Sequence, residues 1–158
     1  MSSIEVELLD LFIPTKATGR TYLVTPALLF WIEKMHSNGV MVEWQSPSRP
    51  ETMGAEDWIK RIRTIDLSSG AGLLSGFRLK TVDGVVKLTG LFTPCGPHGD
   101  FGSKTLRDNM AVFSMRAFSS KISTNGRPTW WIDEVITFDL SPLPSPKDDS
   151  SNGVVDKA

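Results

Sequence analysis

The sequence predicts an α+β domain, mainly antiparallel sheet curled into a small barrel, with one main helix at about 26–37 and one or two short helices. Three observations carry that expectation. A capped apolar helix signature opens at Thr25-Pro26, two strand-like runs flank Asp83-Gly84, and two further strand-like runs close the folded part. Thr25 is suited to accept a bond from a free backbone N–H, and Pro26 fits the first helical position. Ala27, Leu28, Phe30, Trp31, Ile32 and Met35 supply the apolar face, and Gly39 marks the stop. Val40 to Trp44 reads as a strand, and Ala55 to Ile62 as a short helix with Trp58, Ile59 and Ile62 at helical spacing. Leu73–Val82 and Val85–Phe92 form a hairpin, because Asp-Gly tolerates positive φ at both centres of a type I′ turn. Thr93 to Gly99, with two prolines and two glycines, is expected as a loop without ladder pairing, and Lys104 to Asn109 as a short helix. Strands at Ala111–Phe118 and Thr129–Leu140 are joined by a turn-rich stretch, Ser119 to Pro128.

The chain of 158 residues suits a single domain, assigned to 1–140 and followed by a flexible Pro/Ser/Asp-rich tail at 141–158. A net charge of -1 offers no field that would gather nucleic acid or an anionic membrane. One cysteine excludes an intrachain disulfide and a Cys-rich zinc site, and two histidines leave little for a His-based one. No cofactor and no metal are expected. Met1 to Glu7 is acidic where a secretory signal needs positive charge. The longest apolar run, Ala27 to Ile32, is far short of the roughly 20 residues needed to cross a bilayer. These features place the protein as soluble and intracellular.

Few residues offer chemistry. Ser114 and Arg116 sit two apart on a strand and therefore share a face, about 7 Å apart. A serine beside an arginine suits a nucleophile with a cation supporting an oxyanion; two polar residues on a solvated strand face are the plain alternative. Such a serine needs a base, and His36, His98, lysines, or carboxylates such as Asp133 and Asp139 are the candidates, none at a spacing that compels contact. Cys95 and His98 share one loop but fall short of a metal site. Lys60, Arg61 and Arg63 follow Glu56 and Asp57, the pattern of a solvated helix face. Trp130 and Trp131 must point to opposite sides of their strand, which predicts a contact surface on one side.

Read in order, several segments resemble the prohead (head-maturation) serine proteases of tailed bacteriophages, in their myovirus core-protease branch. Gly19-Arg20-Thr21-Tyr22 is similar to that family's Gly-Arg-x-Tyr-Pro, and Glu43-Trp44-Gln45-Ser46-Pro47 to its Glu-Leu-Gly-His-Pro. Leu74 to Leu79 resembles the Val-Ser-His-x-Ile segment, and Thr93-Pro94-Cys95-Gly96 the Thr-Pro-x-Gly turn. Phe113-Ser114-Met115-Arg116-Ala117 is similar to Val-Ser-Ser-Arg-Gly/Ala, and Phe138-Asp139-Leu140 to the closing Phe-Asp-x-Val.

The resemblance implies a serine-protease fold with Ser114 and Arg116 at retained active-site positions. It also implies that Gly76 and Ser46 replace the family's histidines, since no histidine occurs between 37 and 97. A serine without a base loses several orders of magnitude of rate. The resemblance therefore implies a pseudoprotease that binds capsid, portal or other phage shell components during virion assembly, or a second copy of itself. Its place would be the cytoplasm of the infected bacterium, or the virion or phage shell. The alternative is an active endopeptidase for phage head proteins, with Ser114 as nucleophile and a rebuilt base such as His98.

Overall fold

A computed structural model of the chain describes residues 3–124, 127–143 and 154–156. Its strands form two sheets. The first has the order β1 (Ile4–Leu11), β4 (Val85–Pro94), β3 (Gly70–Val82) and β2 (Val40–Glu43). The second has β6 (Arg127–Pro142), β5 (Ala111–Thr124) and β7 (Val154–Asp156). All pairings are antiparallel except β5 with β7. Single bridges join Trp44, just after β2, to Leu140 and the loop residue Tyr22 to Trp130 of β6, and β1 also contacts β5. This is the expected curled, mainly antiparallel α+β plan; continuous hydrogen-bonded closure into a barrel is not found among the described residues.

Helix α1 (Pro26–Asn38) begins where expected: the Thr25 side chain accepts from the Leu28 N–H at 3.2 Å, and the Gly39 N–H closes on Met35 O at 2.7 Å. Its buried stripe is Leu28, Ile32 and Met35, spaced four and three apart. Leu29 and Phe30 project into solvent, so Phe30 does not belong to the core face expected of it. Helix α2 (Ala55–Arg63) buries Trp58 and Ile62 and leaves Ile59 outside. Asp83 (φ 51°) and Gly84 (φ 80°) make the β3–β4 turn, as their positive-φ tolerance required.

Four expectations are corrected. Residues 4–11, assigned no element from sequence, form β1 against β4. Pairing of β4 continues through Thr93 and Pro94, opposite Leu73 and Gly72. Pro94 is tolerated because β1 ends at Ile4, opposite Phe92, so no second neighbour needs its missing N–H. The turn-rich stretch from Ser119 is mostly strand: β5 runs to Thr124 and β6 starts at Arg127, with Ser120 Oγ bonded to Asp133 Oδ2 at 2.6 Å across the ladder. The third helix, α3, covers Gly99–Arg107, so it starts inside the expected loop. Of the expected tail, residues 144–153 and 157–158 lie outside the described residues; Ser141 and Pro142 close β6, and Val154–Asp156 is β7.

The main core lies between the sheets and α1, where Phe92 meets Phe113 edge-on at 5.4 Å and Phe77 faces Phe138 at 6.3 Å. A smaller cluster of Trp58, Ile62 and Phe118 fills the space between α2 and the opposite face of β5. Strand β5 is therefore buried on both sides. Close packing leaves no room at Gly72, where a Cβ would sit 2.7 Å from Phe92 Cζ and 2.8 Å from Thr93 O. We expect Gly72→Ala to cost about 1–3 kcal/mol by overpacking. Gly54→Ala, with nothing within 4 Å, should stay near neutral; urea midpoints of the two variants check this.

Candidate functional site

Ser114 and Arg116 share one face of β5, since the strand's first register shift comes only after Arg116. That face is turned toward α2, and Arg116 is completely buried beneath it. Its planar guanidinium has five N–H groups, and each finds an acceptor. Nε donates to Asp139 Oδ2 at 3.0 Å and Nη2 to Asp139 Oδ1 at 2.6 Å, a bidentate grip on one carboxylate. Nη2 also donates to Glu43 Oε2 at 2.9 Å, and Nη1 donates to Ile62 O at 3.3 Å and Thr64 O at 3.0 Å. The last two are carbonyls at the end of α2, which has no further turn to receive them. Arg116 thus joins β2, β6 and the C-terminus of α2 to β5.

Glu43, 1% exposed, is the second anchor. It accepts from Arg61 Nη2 at 2.8 Å and from the Asp66 N–H at 2.9 Å. Burial pushes its carboxyl up, but Arg61, the Asp66 N–H and Arg116 together outweigh that and hold it below the usual value. Arg61 therefore reaches inward, whereas Glu56, Asp57, Lys60 and Arg63 lie on the solvated face expected of the helix; Arg63 pairs there with Glu134 at 2.5 Å and lies over the Phe118 ring. Asp139 is fully buried, and burial pushes its carboxyl up to about 6 against the pull of Arg116. For Arg116, burial disfavours the charge, and Asp139 and Glu43 more than compensate, so its pKa is raised.

The other sequence candidates do not converge on Ser114. Asp139 stands directly across the ladder from it, yet both Asp139 oxygens are engaged by Arg116. No hydrogen bond joins either histidine to Ser114 among the described residues. His36 Nδ1 lies 3.2 Å from Phe77 O, and His98 caps the start of α3 with its backbone N–H on Gly70 O. Asp133 holds Ser120 instead. Gly76 sits in a bulge of β3 at φ 59°, with its missing Cβ directed at half-exposed Leu91. Its neighbour Phe77 points into the core toward Phe138, so the core separates Gly76 from the Ser114 face. Ser46 is half-buried in the segment after the Trp44 bridge, and Cys95 is exposed. Trp130 is buried beneath Arg20, 3.7 Å from its ring centre, whereas Trp131 is 49% exposed. A cavity of about 110 Å³ lies elsewhere, lined by β1, the residues 15–18 and β5 residues Val112, Phe113 and Met115. Among the described residues no cluster of His, Cys, Asp or Glu could hold a metal, and no helix is long and apolar enough to cross a membrane.

Beyond their places in the family motifs, sequence reasoning gives Asp139 a role only as a base and Glu43 no role. The available signal was a charge standing alone within each of three apolar strands, Val-Met-Val-Glu, Ser-Met-Arg-Ala and Phe-Asp-Leu.

The mainly antiparallel α+β fold and its Ser-x-Arg strand are what the prohead-protease resemblance implied. A family model described as the Peptidase S80 family matches residues 30–147, more than half of the chain, and the chain belongs to that family. The phage prohead-protease resemblance is thereby borne out, with the Gly19–Tyr22 motif outside the matched range. No curated protein and no solved structure matches the chain.

Two outcomes follow from this geometry. Arg116→Met leaves Glu43 and Asp139 buried without their shared cation and should cost about 3–5 kcal/mol, whereas Ser114→Ala, removing a hydroxyl with no bonded partner among the described residues, should be nearly neutral in urea melts. Asp139 binds its proton more tightly folded (about 6) than unfolded (near 3.8), so its contribution to stability declines as pH rises between those values and is constant above them. Urea midpoints across pH 4 to 7 should show that slope, and Asp139→Asn should lack it.

Proposed function

We propose that this member of the phage prohead-protease family is non-catalytic and binds capsid, portal or other shell components during head assembly in the infected bacterium. One observation supports the reading: among the described residues Ser114 is hydrogen-bonded to no base. The only ionisable group across the ladder from it, Asp139, spends both oxygens on Arg116, and Arg116 has no N–H left for an oxyanion. The retained serine and arginine positions support descent of the fold, and the donor count supports a structural role for the arginine. A rebuilt protease would need Asp139 or a histidine to be released toward Ser114 before it could act.

The test is incubation of the purified chain with candidate phage head proteins, read by intact-mass spectrometry, beside Ser114→Ala. We expect no cleavage from either protein and unchanged co-purification of a shell component. Cleavage that disappears in Ser114→Ala would overturn the reading. Installing the missing residue should not create activity: Gly76→His forces a side chain onto a left-handed backbone, costing roughly 1–2 kcal/mol, on a face remote from Ser114.

A further inference from the structure

We infer that the edge of β5 opposite β6, at Ala117–Ser119, is a docking site for an extended segment of another protein chain, which the protein's own Val154–Asp156 fills in cis. The edge opposite β6 pairs with β7 through three residues, in parallel, Ala117 with Val154, Phe118 with Val155 and Ser119 with Asp156. Three residues is the short end of strand length, and parallel ladders are slightly weaker per residue than antiparallel ones. Such a strand holds its place by tethering more than by its own bonds.

The tether is long enough to allow it. The chain from Pro142 to Val154 spans at most about 40 Å, twice the roughly 20 Å along β5 between their partners Ala111 and Ala117. An open strand edge presents its N–H and C=O groups to any extended chain, so a segment in the same parallel register can replace β7 bond for bond. Ser119 adds a buried hydroxyl with no hydrogen-bond partner among the described residues, at the end of this pairing. The occupant that fits is an extended segment with adjacent β-branched residues, the sequence character of Val154-Val155. This names the kind of partner segment the binding reading calls for and rests on that reading only there; an active protease would keep the same edge. Cleavage and peptide docking are read by separate assays, so the two ideas fail separately.

The probe is a fluorescent synthetic peptide of residues 150–158, titrated by anisotropy. The proteins are the full chain, a chain ending at Leu143, and the full-length Val154→Pro/Val155→Pro variant, whose prolines cannot donate to the ladder. We expect saturable binding to both altered proteins and at least roughly ten-fold weaker binding to the full chain, because a short tether sets an effective concentration near millimolar. Amide shifts on binding should centre on Ala117–Ser119. The proline variant keeps the test open should truncation unfold the protein. No binding to a folded altered protein, or equal binding to the full chain, would overturn the inference. So would concentration-dependent dimers of the full chain that truncation abolishes, since they would assign the edge to a second copy's tail.

Discussion

The guanidinium of Arg116 is the point through which the two layers of this protein are joined. Its five N–H groups reach one carboxylate on β6, one on β2, and two carbonyls at the end of α2. Lysine could not replace it, because three donors on a point charge cannot meet four acceptor groups set in a plane. Removing two carboxylates and a cation from water is costly, and their attraction offsets that cost only when every donor is met. Arg61, partly exposed, completes the balance with a second positive charge on Glu43. The network gives little net stability over a well-packed apolar substitute, but it fixes which strand faces which helix end.

That constraint changes what the Ser-x-Arg strand means. In isolation the pair suggests a nucleophile and an oxyanion support. In the fold the two residues share a face, as their spacing requires, but both are buried and the arginine is wholly occupied beneath the end of α2. The chain belongs to a peptidase family, while the hydrogen bonds of Arg116 serve the architecture. Family membership and site chemistry are thus separate findings here, the first resting on residues 30–147 and the second on a few atoms.

Much of the fold was legible because local rules sufficed. Thr25, Pro26 and Gly39 bound α1, and Asp83-Gly84 turns β3 into β4, each by the conformational preference of a single residue. β1 was missed although Glu5 and Glu7 alternate with buried Val6 and Leu8; the acidic residues had been weighed only as evidence against a leader segment. The stretch from Ser119 misled because Ser, Thr, Asn and Pro signal turns locally, whereas a ladder from Lys121–Trp130 to Thr124–Arg127 holds 121–124 and 127–130 extended. The site was less legible. That Ser114 and Arg116 share a face follows from period two, but that Arg116 binds Glu43, 73 residues earlier, depends on tertiary packing no spacing reveals.

The double burial of β5 also orders the protein's birth. Everything that covers the strand, from β1 through α2 to β4, precedes it in the chain, and only β6 and β7 follow. As synthesis proceeds from the N-terminus, Glu43 and Arg61 can meet well before residue 116 has been made, leaving a solvated acid–base pair where the buried network will form. Emergence of β5 then excludes water from both of its faces, and Asp139 arrives last to complete the charge balance. Ribosomal elongation is slow beside hairpin closure, so β3 and β4 have time to pair before β5 is made, and any such pairing leaves its apolar inner face uncovered until then.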